Sequence, residues 1–250
     1  MHSRENIKAL AARSSRIAVL TAVATFAVLP GCTRSGQDAD ARIAALGEQV
    51  EALQKKVQAS EDYISIANLQ AIYGYYVDKS RWDDAAALFS QDATLEIAGR
   101  GLFKGQARIS EYLHQLGALE YGRLYNHMQL QPVLHVAADG RSAKGRWRSF
   151  IQVGHLGKEA RWGEATYENE YVKEGTAWKI SKLHSYITFY VDFDKGWNKG
   201  AVALPKHLDR LEPDTETTVK YGAFPEVFVP PYHYANPVSG KPHAGVKGDE

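Results

Sequence analysis

The chain has 250 residues, of which 44% are apolar, 24% charged and 11% aromatic, enough apolar material for one core in one or two domains. Its formal net charge is +1, but residues 1–31 hold four bases and one acid; the remainder carries 26 basic and 28 acidic residues with no basic stripe, which excludes nucleic acid as an expected partner. One cysteine, Cys32, excludes an intramolecular disulfide.

The first element is an address rather than a structure. Arg4, Lys8, Arg13 and Arg16 precede an apolar run from Ile17 to Pro30, which is shorter than the roughly 20 residues needed to span a bilayer. It ends in "LPGC". Residues 1–31 therefore read as a signal peptide, and the position of the lone cysteine after a small residue resembles a bacterial lipoprotein signal. That resemblance implies a diacylated Cys32 as mature N-terminus, and Thr33 after it resembles the outer-membrane pattern. The protein is then expected in the cell envelope, lipid-anchored and facing the periplasm. Two acyl chains matter, because one alone anchors only marginally.

Residues 32–60 read as a small polar tether, "TRSGQDAD", followed by a helix. Ile43, Leu46, Val50, Leu53 and Val57 recur at steps of three and four, an a/d heptad seam. The seam fits either an amphipathic helix lying on its own domain or a stalk that makes a homo-oligomer.

A globular domain is expected over residues 61–197. "DYISIANLQAIYGYYV" reads as a helix with Tyr63, Ile66, Leu69 (or Gln70) and Tyr73 on one stripe and Ile64, Ala67, Ala71 and Tyr75 beside it. "WDDAAALFS" reads as a short second helix, "TLEIA" as a strand turning through "GRG" into "LFKG", and "ARISEYLHQLG" as a third helix closed by Gly117. Four long strands follow, separated by "AADGR", "GHLGKE" and "GT". Helices followed by an antiparallel meander make an α+β fold, with the curved sheet wrapped around three helices to leave an apolar pocket for a small hydrophobic molecule. Residues 198–250, rich in proline, glycine and aromatics, read as an extended tail packed on the surface.

The order helix, "YGYYVDKSRWDDAAALF", "YLHQLG", "NHMQLQPVLHVAADGRSAKGRW" and "WGEATYENEYVKEGTAWKISKLH" resembles the SnoaL-like branch of the nuclear transport factor 2-like (NTF2-like) superfamily. The resemblance covers about half of the chain. It implies the NTF2-like cone and, by similarity to scytalone dehydratases and bile-acid 7α-dehydratases, a dehydratase or isomerase acting on a cyclic steroid- or polyketide-like substrate by acid–base catalysis. It also implies the site: Tyr73 and Asp78 match a tyrosine and an acid five residues apart, and His127 matches a histidine that opens the first long strand. The next strand, "RWRSFIQV", lacks the second histidine of scytalone dehydratase.

Such chemistry needs a base, a donor to a developing enolate oxygen and an acid for the leaving group, and no cofactor or metal. Asp78 among Tyr73, Tyr75, Tyr76 and Trp82 would have its pKa raised by desolvation. It could instead cap a helix or pair with Lys79 or Arg81. Alternation on its strand puts His127 opposite Met128, Leu130 and Leu134, and either face could line the pocket. Pro132 on that strand argues for an edge or a bulge. Tyr76, Trp147, Trp162, Tyr167 and His184 are candidate pocket walls, although Trp147, Trp162 and Tyr167 fit the core equally and His184 fits a packed neighbour of aromatic rings. Arg146 and Arg148 are placed to pair across strands with Glu164 and Glu168. The histidines lack metal-ligand spacing, and "YHY…KPH" reads as surface. The rival reading is a non-catalytic ligand-binding or assembly module of the envelope.

Overall fold

The computed structural model describes residues 31–200 and 203–243, so the signal segment expected over residues 1–31 lies, but for its last residue, outside them, as does the side chain of Cys32. The chain divides into two compact units, residues 1–51 and 52–250, each taken by itself. The described part of the first is helical throughout. It belongs to α1 (Gly31–Asp78), so helix replaces the flexible tether expected at residues 33–40. Starting a helix is the costly step; extending one already formed through Ala, Gln and Arg is not. No described helix is both long enough and apolar enough to cross a membrane.

The heptad residues Ile43, Leu46, Val50, Leu53 and Val57 are 51–67% exposed, and Ile64, one heptad beyond Val57, is 58% exposed. Within the second unit α1 buries a different stripe: Ile66, Leu69, Gln70, Tyr73 and Val77. Tyr63, Ile64 and Tyr75, expected on or beside the buried stripe, are exposed, because the core touches only one side of the helix.

The remaining elements follow in the expected order. They are α2 (Trp82–Ala87), β1 (Phe89–Ile97), β2 (Gly101–Lys104), α3 (Gln106–Gln115), β3 (Arg123–Val136), β4 (Ser142–His155), β5 (Glu159–Glu174) and β6 (Ala177–Asp192). One six-stranded sheet runs β2-β1-β6-β5-β4-β3. Every neighbour pair is antiparallel except β1 with β6, where the chain returns to the sheet through the long meander. The domain is thus the α+β cone expected. One face of the sheet holds the core against α1, α2 and α3 through Phe89, Leu95, Phe103, Ile109, Leu113, Ile180 and Leu183, all essentially inaccessible.

Pro132 is explained twice over. β3 is an edge strand, and its register with β4 slips between Leu130 and Val133, where Gln131 adopts a positive φ of 51°. A residue without an N–H is tolerated at such a place.

Residues 203–243 have no regular helix or strand, yet they are fixed to the domain. Asp214 accepts hydrogen bonds from Lys104 N (2.7 Å) and Arg108 Nε (3.0 Å). Phe228 stacks on both Tyr221 and Tyr186, and Tyr221 lies tilted against Tyr186. His233, expected at the surface, is buried between Glu168 (Nδ1 to Oε2, 2.8 Å) and His135 (3.0 Å), because the tail folds back over the outer face of the sheet.

Candidate functional site

A cavity of the second unit has about 320 Å³ of space, at the small end of ligand sites. Its polar wall comes from four places: Tyr73 from α1, Arg100 from the β1–β2 turn, Tyr112 from α3, and Arg123, Tyr125 and His127 from the start of β3. Tyr167 and Ser185 form its floor, and Ile97, Ile151, Ile187, Pro205 and Leu208 are among its apolar lining. Two of these, Pro205 and Leu208, belong to the tail, which therefore covers more than the outer surface. The tail lies against the β1–β2 turn so closely that a Cβ on Gly99 would come within 2.0 Å of the Pro205 carbonyl oxygen.

The position of His127 is set by α1. Gly74 lets the helix backbone approach β3 until a Cβ there would meet both the His127 carbonyl oxygen and Gln129 Cγ at 2.9 Å. One turn on, on the same side of the helix, the Asp78 carboxylate accepts the His127 main-chain N–H at 2.6 Å. A carboxylate sits among tyrosines there because it satisfies a backbone donor at the start of an edge strand. Asp78 does not line the cavity. Partial burial raises its pKa, opposed by the bond from His127 and by Lys79. The alternative partner Arg81 is instead bound to Asp84.

The imidazole of His127 faces the cavity, which decides the face left open by alternation: the polar face of β3 looks inward, while Met128 and Leu130 are exposed. Its Nδ1 is buried and has no hydrogen-bond partner among the described residues. Burial pushes its pKa down to about 4, so the ring is a free base at neutral pH. Tyr73 and Tyr167 share the cavity, and burial raises both hydroxyls above the ordinary tyrosine value, which keeps them protonated donors.

Tyr125 is held by a bond from its hydroxyl to the Leu116 carbonyl and by the edge of Trp82 (6.1 Å), whose Nε1 donates to the Gly117 carbonyl at 2.8 Å. The ends of α2, α3 and β3 are thereby fastened together at the cavity rim.

Of the five wall candidates only Tyr167 lines this cavity. Trp147 is buried beneath it, donating to Tyr171 Oη at 2.7 Å, and Tyr76 packs against the core beside it. Trp162 lies on the opposite face of β5, edge-on to Phe150 (5.7 Å) and Phe189 (5.8 Å). His184 is also on the opposite face, stacked on Tyr186 at 3.9 Å with Nε2 3.3 Å from the Glu96 carboxylate. Both departures have one cause: strand parity sets which residues share a face, but not which face meets the helices. Reading missed Arg100, Arg123 and Tyr125, although alternation already placed Arg123 and Tyr125 on the face of His127. Among the described residues no group of three or more His, Cys, Asp or Glu side chains is arranged to hold a metal ion.

The curved six-stranded sheet packed on three helices defines an NTF2-like α+β domain. The model of the SnoaL-like domain matches residues 58–184, half of the chain, and the protein belongs to that family. Among solved structures, a scytalone dehydratase-like protein from Novosphingobium aromaticivorans is similar over 63% of this chain and 99% of its own, with 17% identity and a TM-score of 0.51. A type 2 hexachlorocyclohexane dehydrochlorinase (LinA) matches over 55% of this chain and 93% of its own, with 20% identity and a TM-score of 0.49. These likenesses are of fold.

Proposed function

We propose that the domain binds a small cyclic, largely apolar molecule in this cavity and catalyses a dehydration or double-bond shift on it by acid–base chemistry. The observation that carries this is His127 on the wall of the cavity beside Tyr73 and Tyr167, its Nδ1 buried without a hydrogen-bond partner among the described residues. The free-base imidazole takes a proton from carbon next to a carbonyl; Tyr73 or Tyr167 donates to the oxygen on which negative charge develops. As the proton moves, that charge stabilises the imidazolium which burial alone disfavours, and the imidazolium then gives the proton up: to the departing hydroxyl, which leaves as water as the C–O bond breaks, or to the far carbon in a double-bond shift. Asp78 acts here as a positioning residue, through the main chain of His127. The scytalone dehydratase-like relative is consistent with this class of reaction.

The test is turnover of a panel of cyclic β-hydroxy ketones, followed by the ultraviolet absorbance of the conjugated product. One or more should react, and His127→Gln should lower kcat at least about 100-fold, the usual share of a general base. Stoichiometric binding of the same compounds without turnover would establish the second reading, a ligand-binding module. That reading is favoured by Asp78, whose carboxylate is engaged by the backbone rather than presented to the cavity.

Two proposals concern the setting. We propose that Cys32 is diacylated and holds the protein on the envelope membrane, facing the periplasm; Cys32→Ser should move it to the soluble fraction, and continued membrane retention would refute the anchor. We also propose that α1 pairs with a second copy in parallel. β-branched Ile43, Val50, Val57 and Ile64 at a, with Leu46 and Leu53 at d, is the pattern of two-stranded parallel coils. Lys56 at g and Glu61 at e then attract across the pair. Sedimentation of the lipid-free protein should give a dimer, and Leu53→Asp a monomer; a monomeric parent protein ends the proposal.

A further inference from the structure

The cavity carries more positive charge than an apolar ligand would need. Arg100, Arg123 and Arg161 all line it, against a single acid, Glu159. Arg161 has its charge balanced, lying 3.8 Å from Glu159 and 3.5 Å from Asp192, although its Nε too is buried without a hydrogen bond. Arg100 and Arg123 do not. Neither has a carboxylate oxygen within 4.0 Å among the described residues. Arg100 Nη1 and Arg123 Nε are buried without any hydrogen-bond partner. The Arg123 guanidinium lies over the face of Tyr125, 5.0 Å away, a contact that does not engage its N–H groups.

Arg100 and Arg123 are only partly buried, but each keeps one buried donor idle, which is costly unless an anion completes it. The planar fork of a guanidinium fits a carboxylate better than a carbonyl or a hydroxyl. We propose that the ligand of this cavity is a cyclic carboxylate, its anionic group taken by Arg100 and Arg123 at the rim and its ring lying inward against Tyr73, Tyr167 and His127. The inference rests on the reading of this cavity as the ligand site and names the class of molecule that enters it. It also gives an elimination a fixed orientation: anchoring one end of the ring system sets which carbon faces Nδ1.

The experiment is calorimetric titration of the purified protein with 2-naphthoate and with 2-naphthamide, which share a ring system and differ in charge. Naphthoate is expected to bind at least tenfold more tightly, and that preference should shrink as sodium chloride rises from about 0.05 to 0.5 M, while naphthamide affinity stays constant. Arg100→Gln with Arg123→Gln should abolish the preference by weakening naphthoate alone. Equal affinity for the two compounds, binding of neither, or a preference that survives the double substitution overturns the proposal. Should the double variant fail to fold, the preference and salt dependence of the unaltered protein still decide it. His127→Gln separates the two readings. An anion preference kept in that variant, with no turnover in any protein, would remove the catalytic reading and leave this one. Turnover of neutral substrates without anion preference would do the reverse.

Discussion

The two faces of the sheet hold similar chemistry and treat it oppositely. On the outer face most polar groups are matched, Trp162 Nε1 being an exception. Glu96, 2% exposed, accepts from Thr218 N (2.6 Å) and Thr218 Oγ1 (2.9 and 3.0 Å), and lies 3.3 Å from His184. Glu168 is held by Arg146 and His233 together, and Arg146 also sits over the ring of Tyr232 at 3.9 Å. On the cavity face His127 Nδ1, Arg100 Nη1 and Arg123 Nε are buried and idle. Unmatched buried polar atoms are rare in folded proteins because each costs stability. Under the proposal above a ligand meets the unmatched groups of the cavity; on the outer face the matched histidines and carboxylates hold the tail in place. A buried histidine is thus informative through what its second nitrogen touches rather than through its burial.

The contrast can be broken at several points. The largest effect on stability is expected on the matched face: Glu96→Ala strands the Thr218 N–H and should lower unfolding free energy by roughly 3 kcal/mol in denaturant titration. It should leave naphthoate affinity within threefold of the parent, and a larger change would mean that the two faces are not independent. On the unmatched face, pH is the probe. The folded pKa of His127, about 4, lies below the ordinary 6.5, so between these values the unfolded chain takes up the proton first. Stability should therefore fall as pH drops from 6.5 to 4, by about 3 kcal/mol from this group, and His127→Gln should remove that part of the slope. The acid limb of kcat/KM should likewise inflect near 4 rather than 6.5.

Smaller effects sharpen the assignment of Asp78. Asp78→Ala leaves the His127 N–H unbonded and should cost about 1–3 kcal/mol together with a fall in turnover. Asp78→Asn keeps an acceptor and should restore most of both, whereas a base acting directly would not tolerate the amide. The smallest change is expected at Arg148, whose side chain is mostly exposed and 3.5 Å from Glu164. Arg148→Ala should shift stability by less than about 0.5 kcal/mol.

Element order, the α+β class, the hairpin breaks, the edge or bulge at Pro132 and the cross-strand Arg–Glu pairs were legible from periodicity and turn chemistry, which depend on neighbours in the chain. The pairing of Tyr73 with His127 came through the family resemblance, and both do line one cavity. The partner of Asp78, the outward position of Trp162 and His184, the burial of His233 and the arginine rim were not legible. Each depends on which face of an element meets something distant: Asp78 and His127 are 49 residues apart, and Glu96 and Thr218 are 122 apart.

By itself the sequence determined the local structure: the order and type of the helices and strands of the domain, and which residues of each share a side. Only the tertiary structure decided which side is inside, because the alternation of a strand is symmetric between its two faces until helices cover one and the tail covers the other. That choice gave His127 a cavity and His184 a carboxylate.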